Sequence, residues 1–266
     1  MKKNNLMNKK NYGIKIILFF FLSLTSINSV AQNRYNLSQF AEESRKFVEN
    51  PAGWHNNDWI KLGLISAGTI LLTQTDQSVR EIVLKDQSYF KSFPIETGRI
   101  WGEIYPTAII AGSLGLHGLI TGEETTKKIG FEIIQSAVYA GAITTFLKIA
   151  VGRARPFTNK EPGTFHPFTF FDDDFHSFPS GHATLAFSLS TVLAKNMRSD
   201  FLKVIVFLPA VLTMASRVYQ DNHWVSDVFA GAAIGYFVGD WVTDLHGKQD
   251  SGTTVSLIPF SIRIQF

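Results

Sequence analysis

Six apolar segments constrain the fold of this chain more than any other feature. They lie at 58–74, 104–121, 127–151, 181–196, 200–216 and 224–245. None of them shows the sustained alternation of apolar and polar residues that is typical of a half-buried strand. Their lengths and composition favour helices, so we predict an all-α fold organised as a six-helix bundle.

The same segments bear on whether the bundle lies in a membrane. Residues 201–215 and 228–239 are apolar on every face, which is typical of a helix in a membrane or deep in a core. We therefore favour a membrane-embedded bundle. Several segments hold only about 15 apolar residues, however, where a span needs about 20. We expect residues 58–74, which include Lys61, to be a partial span, and a soluble periplasmic bundle stays the alternative.

The segments outside the bundle divide the chain further. Residues 1–31 have the pattern of a signal peptide or N-terminal anchor, with lysines before an apolar run and a small-x-small site at Ser29-Val30-Ala31. Residues 32–57 predict a polar, loop-like lead-in, and residues 58–246 the helical domain. In the tail, residues 247–266, apolar residues alternate strictly from Ile258 to Phe266 and predict one strand.

Composition excludes several kinds of site. The 266 residues contain no cysteine, which rules out disulfides, thiolate nucleophiles and cysteine-ligated zinc. A formal net charge of +3 gives no argument for a nucleic-acid partner. Four histidines have no partner at metal-ligand spacing, namely His55, His117, His176 and His246, and no metal site is predicted.

Three short motifs lie where apolar segments end or begin. They are Lys148-x6-Arg155-Pro156, Pro179-Ser180-Gly181-His182 and Ser216-Arg217-x5-His223-x3-Asp227. In an up-and-down bundle, the ends of the third and fifth helices and the starts of the fourth and sixth lie together. The motifs therefore predict one site at one end of the bundle.

The residue types in these motifs suit a phosphoryl group. Lys148, Arg155 and Arg217 can neutralise its oxygens. Ser180 is a good N-cap, and Gly181 allows backbone N–H groups at a helix N-terminus to approach an anion. A plain helix cap would explain both of these residues. His182 in the first turn favours a bound anion or a proton to deliver, because a cation is disfavoured there.

His223 and Asp227 are spaced i, i+4 and share one helix face. Asp227 can accept a proton from one ring nitrogen and leave the other as a nucleophile. The alternative is a surface pair of little energetic worth. Arg153 is either a further member of the site or a charged helix end.

These motifs resemble the signature of the type 2 phosphatidic acid phosphatase family, which is related to class A acid phosphatases and vanadium haloperoxidases. The signature K-x6-R-P, P-S-G-H and S-R-x5-H-x3-D matches at every defining position, and the resemblance spans roughly residues 60–245. It implies cofactor-free and metal-free hydrolysis. The roles that it implies are attack on phosphorus by His223 to form a phosphohistidine, orientation of His223 by Asp227, proton transfer by His182, and phosphate binding by Lys148, Arg155, Ser180, Gly181 and Arg217.

The substrate implied by the resemblance is a lipid phosphate or pyrophosphate. The candidates are undecaprenyl pyrophosphate, phosphatidate, phosphatidylglycerol phosphate and lipid A phosphates. A soluble periplasmic acid phosphatase is the main alternative, and a haloperoxidase or an inactive membrane scaffold is less favoured. The Phe-rich linker at residues 165–175 is either an apolar lid that guides a lipid or a loop folded over the helix ends.

The charges of the loops predict how the bundle is oriented across the membrane. Basic residues opposite the site would place that face in the cytoplasm and the site in the periplasm of a bacterial-type envelope. These residues are Lys127, Lys128, Lys195, Arg198 and Lys203. A cleaved signal followed by six full spans would give the reverse orientation. Hence one early segment is not a span, the signal is an anchor, or the bundle is soluble.

Overall fold

The computed structural model describes residues 33–250, which form a helical body. The predicted signal or anchor and the alternating tail lie outside the described residues. The helices are α1 Leu37–Glu49, α2 Asn56–Thr73, α3 Asp76–Lys85, α4 Phe93–Trp101, α5 Ile104–Thr121, α6 Glu124–Val151, α7 Gly181–Asn196, α8 Asp200–Ile205, α9 Leu208–Tyr219 and α10 Val225–Asp250. Between residues 33 and 250 the only β-type pairing is an isolated bridge between Arg153 and Phe165.

The all-α prediction is confirmed for this part of the chain, but the count of six helices is not. Five of the predicted segments correspond to α2, α5, α6, α7 and α10. The fifth apolar segment is divided into α8 and α9, and Pro209, which lacks a backbone N–H, stands in the first turn of α9. The prediction of a loop-like lead-in at 32–57 was wrong, because this segment contains α1. The Asn36 side chain caps α1 by accepting a hydrogen bond from the N–H of Gln39.

The centre of the body is the packing of α10 against α7, with α6 alongside both. Glycines at positions 231, 235 and 239 form a stripe on α10 that faces α7. A Cβ on Gly235 would lie 2.2 Å from the carbonyl oxygen of Thr184, and one on Gly231 would lie 2.3 Å from that of Ser180. Only glycine permits this close approach of the two backbones, which fixes α7 and α10 beside each other.

We expect Gly235→Ala to destabilise the protein by about 1–3 kcal/mol, because the added methyl group forces the two helices apart. The measurement is thermal unfolding of the purified protein in detergent. Gly63→Ala on α2 is the matched control, because a Cβ there meets nothing within 4 Å. Equal melting temperatures for the two variants would contradict this view of the packing.

A buried ionic cluster holds α1 against the far end of the bundle. His246 on α10 contacts Glu132 at 3.2 Å and Glu43 of α1 at 3.1 Å, and all three side chains are buried. Burial alone would lower the pKa of His246, but the hydrogen bonds to the two carboxylates raise it to about 9. Sequence analysis found no partner for His246, because the members of this cluster are far apart along the chain.

The outer surface of the body is apolar along several helices. Within the described residues, three helical stretches are long and apolar enough to cross a membrane: Ile104–Thr121, Glu124–Val151 and Asp200–Tyr219. Large apolar side chains on them point outward, including Ile120, Phe146 and Phe201. An exposed apolar surface of this kind is unfavourable in water and favourable against lipid. Helix α2, predicted to be a partial span, is not among the three.

Candidate active site

The first motif is placed by the end of α6. Gly152 ends the helix with a φ of +57°, and its N–H donates to the carbonyl oxygen of Lys148. A Cβ at Gly152 would lie 1.8 Å from the carbonyl oxygen of His166, so only glycine fits this turn. The Lys148 side chain reaches the start of α7. Its Cε lies 3.8 Å from the position that a Cβ would occupy on Gly181. The first motif therefore meets the second.

The second motif opens α7 and is tied to the third. The Ser180 side chain caps the helix by accepting from the N–H of Ala183. The N–H of Ser180 donates to the carbonyl oxygen of Asp227, 3.0 Å away at the start of α10. The first turn of α7, which carries Gly181 and His182, is thereby fixed beside the first turn of α10.

The third motif joins the end of α9 to the start of α10 through a tight turn. The N–H of His223 donates to the carbonyl oxygen of Arg217 at 3.2 Å. Arg155 of the first motif places its Nη1 at 3.5 Å from the Nε2 of His223. The eight residues predicted to form the site thus lie at one end of the bundle, where α6 and α9 end and α7 and α10 begin.

The hydrogen bond at Nδ1 fixes the tautomer of His223. Nδ1 lies 2.8 Å from the backbone carbonyl oxygen of Ser177. A carbonyl only accepts hydrogen bonds, so Nδ1 carries the proton and Nε2 presents a lone pair. Burial is the main reason that the pKa of His223 is lowered to about 3, and the cations of Lys148 and Arg155 add to it. The ring is therefore uncharged at neutral pH.

Asp227 acts on His223 less directly than the i, i+4 spacing predicted. Its Oδ2 lies 3.8 Å from the Nδ1 of His223, beyond hydrogen-bond distance. Asp227 instead accepts hydrogen bonds from the Ser177 hydroxyl, the N–H of Trp224 and the guanidinium of Arg153. The carboxylate therefore holds the residue whose carbonyl orients the histidine ring.

His182 lies next to a carboxylate that the motifs did not include. Its Nε2 is 3.4 Å from the Oε1 of Glu103, at the start of α5. This contact does not have the geometry of a hydrogen bond, so the buried Nε2 has no hydrogen-bond partner among the described residues. Burial, and then the positive charge of Arg217, lower the pKa of His182 to about 4.

The cations around the two histidines are arranged to receive an anion. The Nε of Arg217 is buried and has no hydrogen-bond partner in the described part of the chain. Arg155 forms an ion pair at 2.8 Å with Asp173, a carboxylate of the linker whose side chain is 75% exposed. A buried polar atom without a partner is costly, and phosphate oxygens would satisfy it.

Comparisons with known proteins agree with this geometry. Residues 130–251 match the model of the PAP2 superfamily. A lipid A 1-phosphatase from Porphyromonas gingivalis is 24% identical over 94% of this chain and 54% of its own length. An undecaprenyl-diphosphatase from Sulfolobus acidocaldarius is 32% identical over 47% of this chain and 57% of its own length. The chain thus spans about half the length of these curated relatives.

The fold also has a solved counterpart. The crystal structure of a transmembrane PAP2-type phosphatidylglycerolphosphate phosphatase from Bacillus subtilis superimposes with a TM-score of 0.52 at 21% identity. The match covers 69% of this chain and 94% of that one. This likeness shows that the two proteins share a fold. Over residues 130–251, the chain is similar to the PAP2 superfamily, the family whose signature the three motifs resemble.

Proposed function

We propose that this chain hydrolyses a phosphate monoester or pyrophosphate on a lipid, through a phosphohistidine formed on His223. The observation that carries the proposal is the uncharged His223 ring, whose Nε2 faces Arg155 at 3.5 Å while Nδ1 is held by a carbonyl. A neutral imidazole whose lone pair accepts only a long hydrogen bond from a cation is close to the arrangement that nucleophilic attack on phosphorus needs.

In the first step, the Nε2 of His223 forms a bond to phosphorus while the bond to the leaving oxygen breaks. His182, which we expect to be protonated once the anionic substrate is bound, gives that proton to the leaving oxygen. Lys148, Arg155 and Arg217 stabilise the charge on the phosphoryl oxygens as the transition state forms, together with the N–H groups at the start of α7. The products are the dephosphorylated lipid and the phosphoenzyme.

In the second step, water replaces the histidine nitrogen. His182, now uncharged, accepts a proton from the water, whose oxygen attacks phosphorus as the bond to Nε2 breaks. Inorganic phosphate leaves, and His223 and His182 return to their starting states. Both steps use only groups of this chain, and the absence of a metal requirement stays a prediction.

Two observations support a lipid as the substrate. The names of the relatives describe phosphatases and diphosphatases of lipid A and undecaprenyl carriers. The site also lies at the end of α6, one of the stretches long and apolar enough to cross a membrane, so a phosphate there would sit near a membrane boundary. The basic residues at the opposite end, among them Lys195 and Lys203, support a site that faces the periplasm.

A phosphate-release panel tests the proposal. The protein is purified in detergent and given phosphatidate, phosphatidylglycerol phosphate, undecaprenyl pyrophosphate and lipid A, with small soluble phosphate esters beside them. We expect release from at least one lipid with a kcat/KM above that of every soluble ester, and equal release in the presence of a chelator. Faster hydrolysis of the soluble esters, or recovery of the protein by osmotic shock without detergent, would favour a soluble periplasmic acid phosphatase.

A further inference from the structure

We propose that Arg153 and Asp76 are positioning residues for the nucleophile, holding the Asp227 carboxylate in place against Ser177 and His223. The inference rests on the proposed function, because it concerns the same site. Neither residue belongs to the defining positions of the three motifs. Both are brought to the site by the fold, from the end of α6 and from the first residue of α3.

Arg153 is locked by partners on each of its nitrogens. Its Nη1 donates to the Asp227 carboxylate at 2.6 Å and to the Ser226 hydroxyl at 2.7 Å. Its Nη2 donates to Asp76 at 2.7 Å, and its Nε to the carbonyl oxygen of Pro162 at 2.9 Å. The residue is only 2% exposed. A planar guanidinium held at three nitrogens cannot rotate, so it fixes the carboxylate that it touches.

Asp76 completes the cluster from the other side. It is 1% exposed and is the first residue of α3. One carboxylate oxygen accepts the N–H of Ser226 at 3.0 Å, and the other accepts the Ser226 hydroxyl and the Arg153 guanidinium. Asp76 thereby holds both Arg153 and the first turn of α10, one residue before Asp227.

The cluster reaches His223 through Ser177. The Ser177 hydroxyl donates to Asp227, its carbonyl accepts from the Nδ1 of His223, and its N–H donates to the carbonyl oxygen of Arg153 at 3.0 Å. A shift of the Asp227 carboxylate would therefore move the carbonyl that orients the imidazole. Misplacement of a reacting group by about 1 Å can cost 10²-fold in rate.

A structural alternative is that these contacts only attach α3 to the body. The chain offers a matched control for it, because α3 makes a second ion pair to the same segment. Arg80 of α3 binds Asp221 at 2.7 Å and does not contact Asp227. Removal of this pair weakens the attachment of α3 and leaves the Arg153 cluster intact.

The experiment compares Asp76→Asn, Arg153→Lys and Arg80→Gln with the wild type, all full-length and in detergent. The substrate is a radiolabelled phosphate ester that the wild type hydrolyses. Steady-state rates give kcat and KM, rapid quenching gives the rate of phosphoenzyme formation, and thermal unfolding checks the fold. We expect Asp76→Asn and Arg153→Lys to lower kcat and phosphoenzyme formation by about 10- to 100-fold, with KM within about threefold of wild type. For Arg80→Gln, kcat and the rate of phosphoenzyme formation should stay within about threefold of the wild-type values.

Two outcomes would overturn the inference. One is that Asp76→Asn and Arg153→Lys form the phosphoenzyme at the rate of the wild type. The other is an equal loss in Arg80→Gln, which would assign the effect to attachment of α3. A wild-type protein that releases no phosphate from any substrate would refute the proposed function instead, so the two failures are distinguishable.

Discussion

His223→Ala should abolish phosphate release, with kcat falling by about 10⁴-fold or more, since removal of a nucleophile costs on this scale. The physical reason is that the proposed covalent intermediate forms on the Nε2 of His223, and alanine has no atom that could take its place. The ring nitrogen Nε2 faces Arg155, and the bond of Nδ1 to the Ser177 carbonyl keeps it in the reactive tautomer. The measurement is phosphate release from the best substrate of the panel.

Two controls make the result specific. His117→Ala removes an exposed histidine that contacts Thr126, remote from the site, and should leave kcat unchanged. His223→Gln retains a side-chain amide that can donate to the Ser177 carbonyl, so it should fold like the wild type and still be inactive. Full activity in His223→Ala would refute the proposed mechanism, whatever the substrate.

The convergence of the three motifs could be predicted because it follows from helix ends. Lys148 lies at the end of one apolar segment, His182 at the start of the next, and Arg217 and His223 on either side of a third boundary. In a bundle of adjacent antiparallel helices, such positions meet. Spacing along the chain therefore carried enough information to place the predicted site residues together.

The residues that the sequence did not predict are held by contacts between distant parts of the chain. Asp76 is 77 residues from Arg153, and Glu103 immediately precedes α5 while its neighbour His182 lies in the first turn of α7. Periodicity and spacing describe one helix at a time and cannot show such contacts. The same limit made Asp227 look like a direct partner of His223, whereas the Ser177 carbonyl accepts from the ring.

His182→Asn should lower kcat for a lipid phosphate by about 10²- to 10⁴-fold, which is the usual worth of a general acid–base group. A lipid alkoxide is a poor leaving group and needs the proton that His182 supplies. In the protein without substrate, burial and the Arg217 cation lower the pKa of His182 to about 4, so the ring is uncharged at neutral pH. A bound phosphate dianion supplies the opposite charge that raises the pKa, so we expect protonation to accompany substrate binding.

A substrate with a good leaving group separates the two roles of His182. Nitrophenolate leaves without a proton, so His182→Asn should still form the phosphoenzyme from p-nitrophenyl phosphate. Hydrolysis of that intermediate needs a base for water and should be slow. We expect a burst of about one nitrophenolate per enzyme followed by a slow steady state, which is the kinetic mark of a trapped covalent intermediate. A variant that shows no burst, and in which phosphoenzyme formation slows as much as phosphoenzyme hydrolysis, would refute the assignment of His182. A group needed only for proton transfer should not limit a step whose leaving group needs no proton.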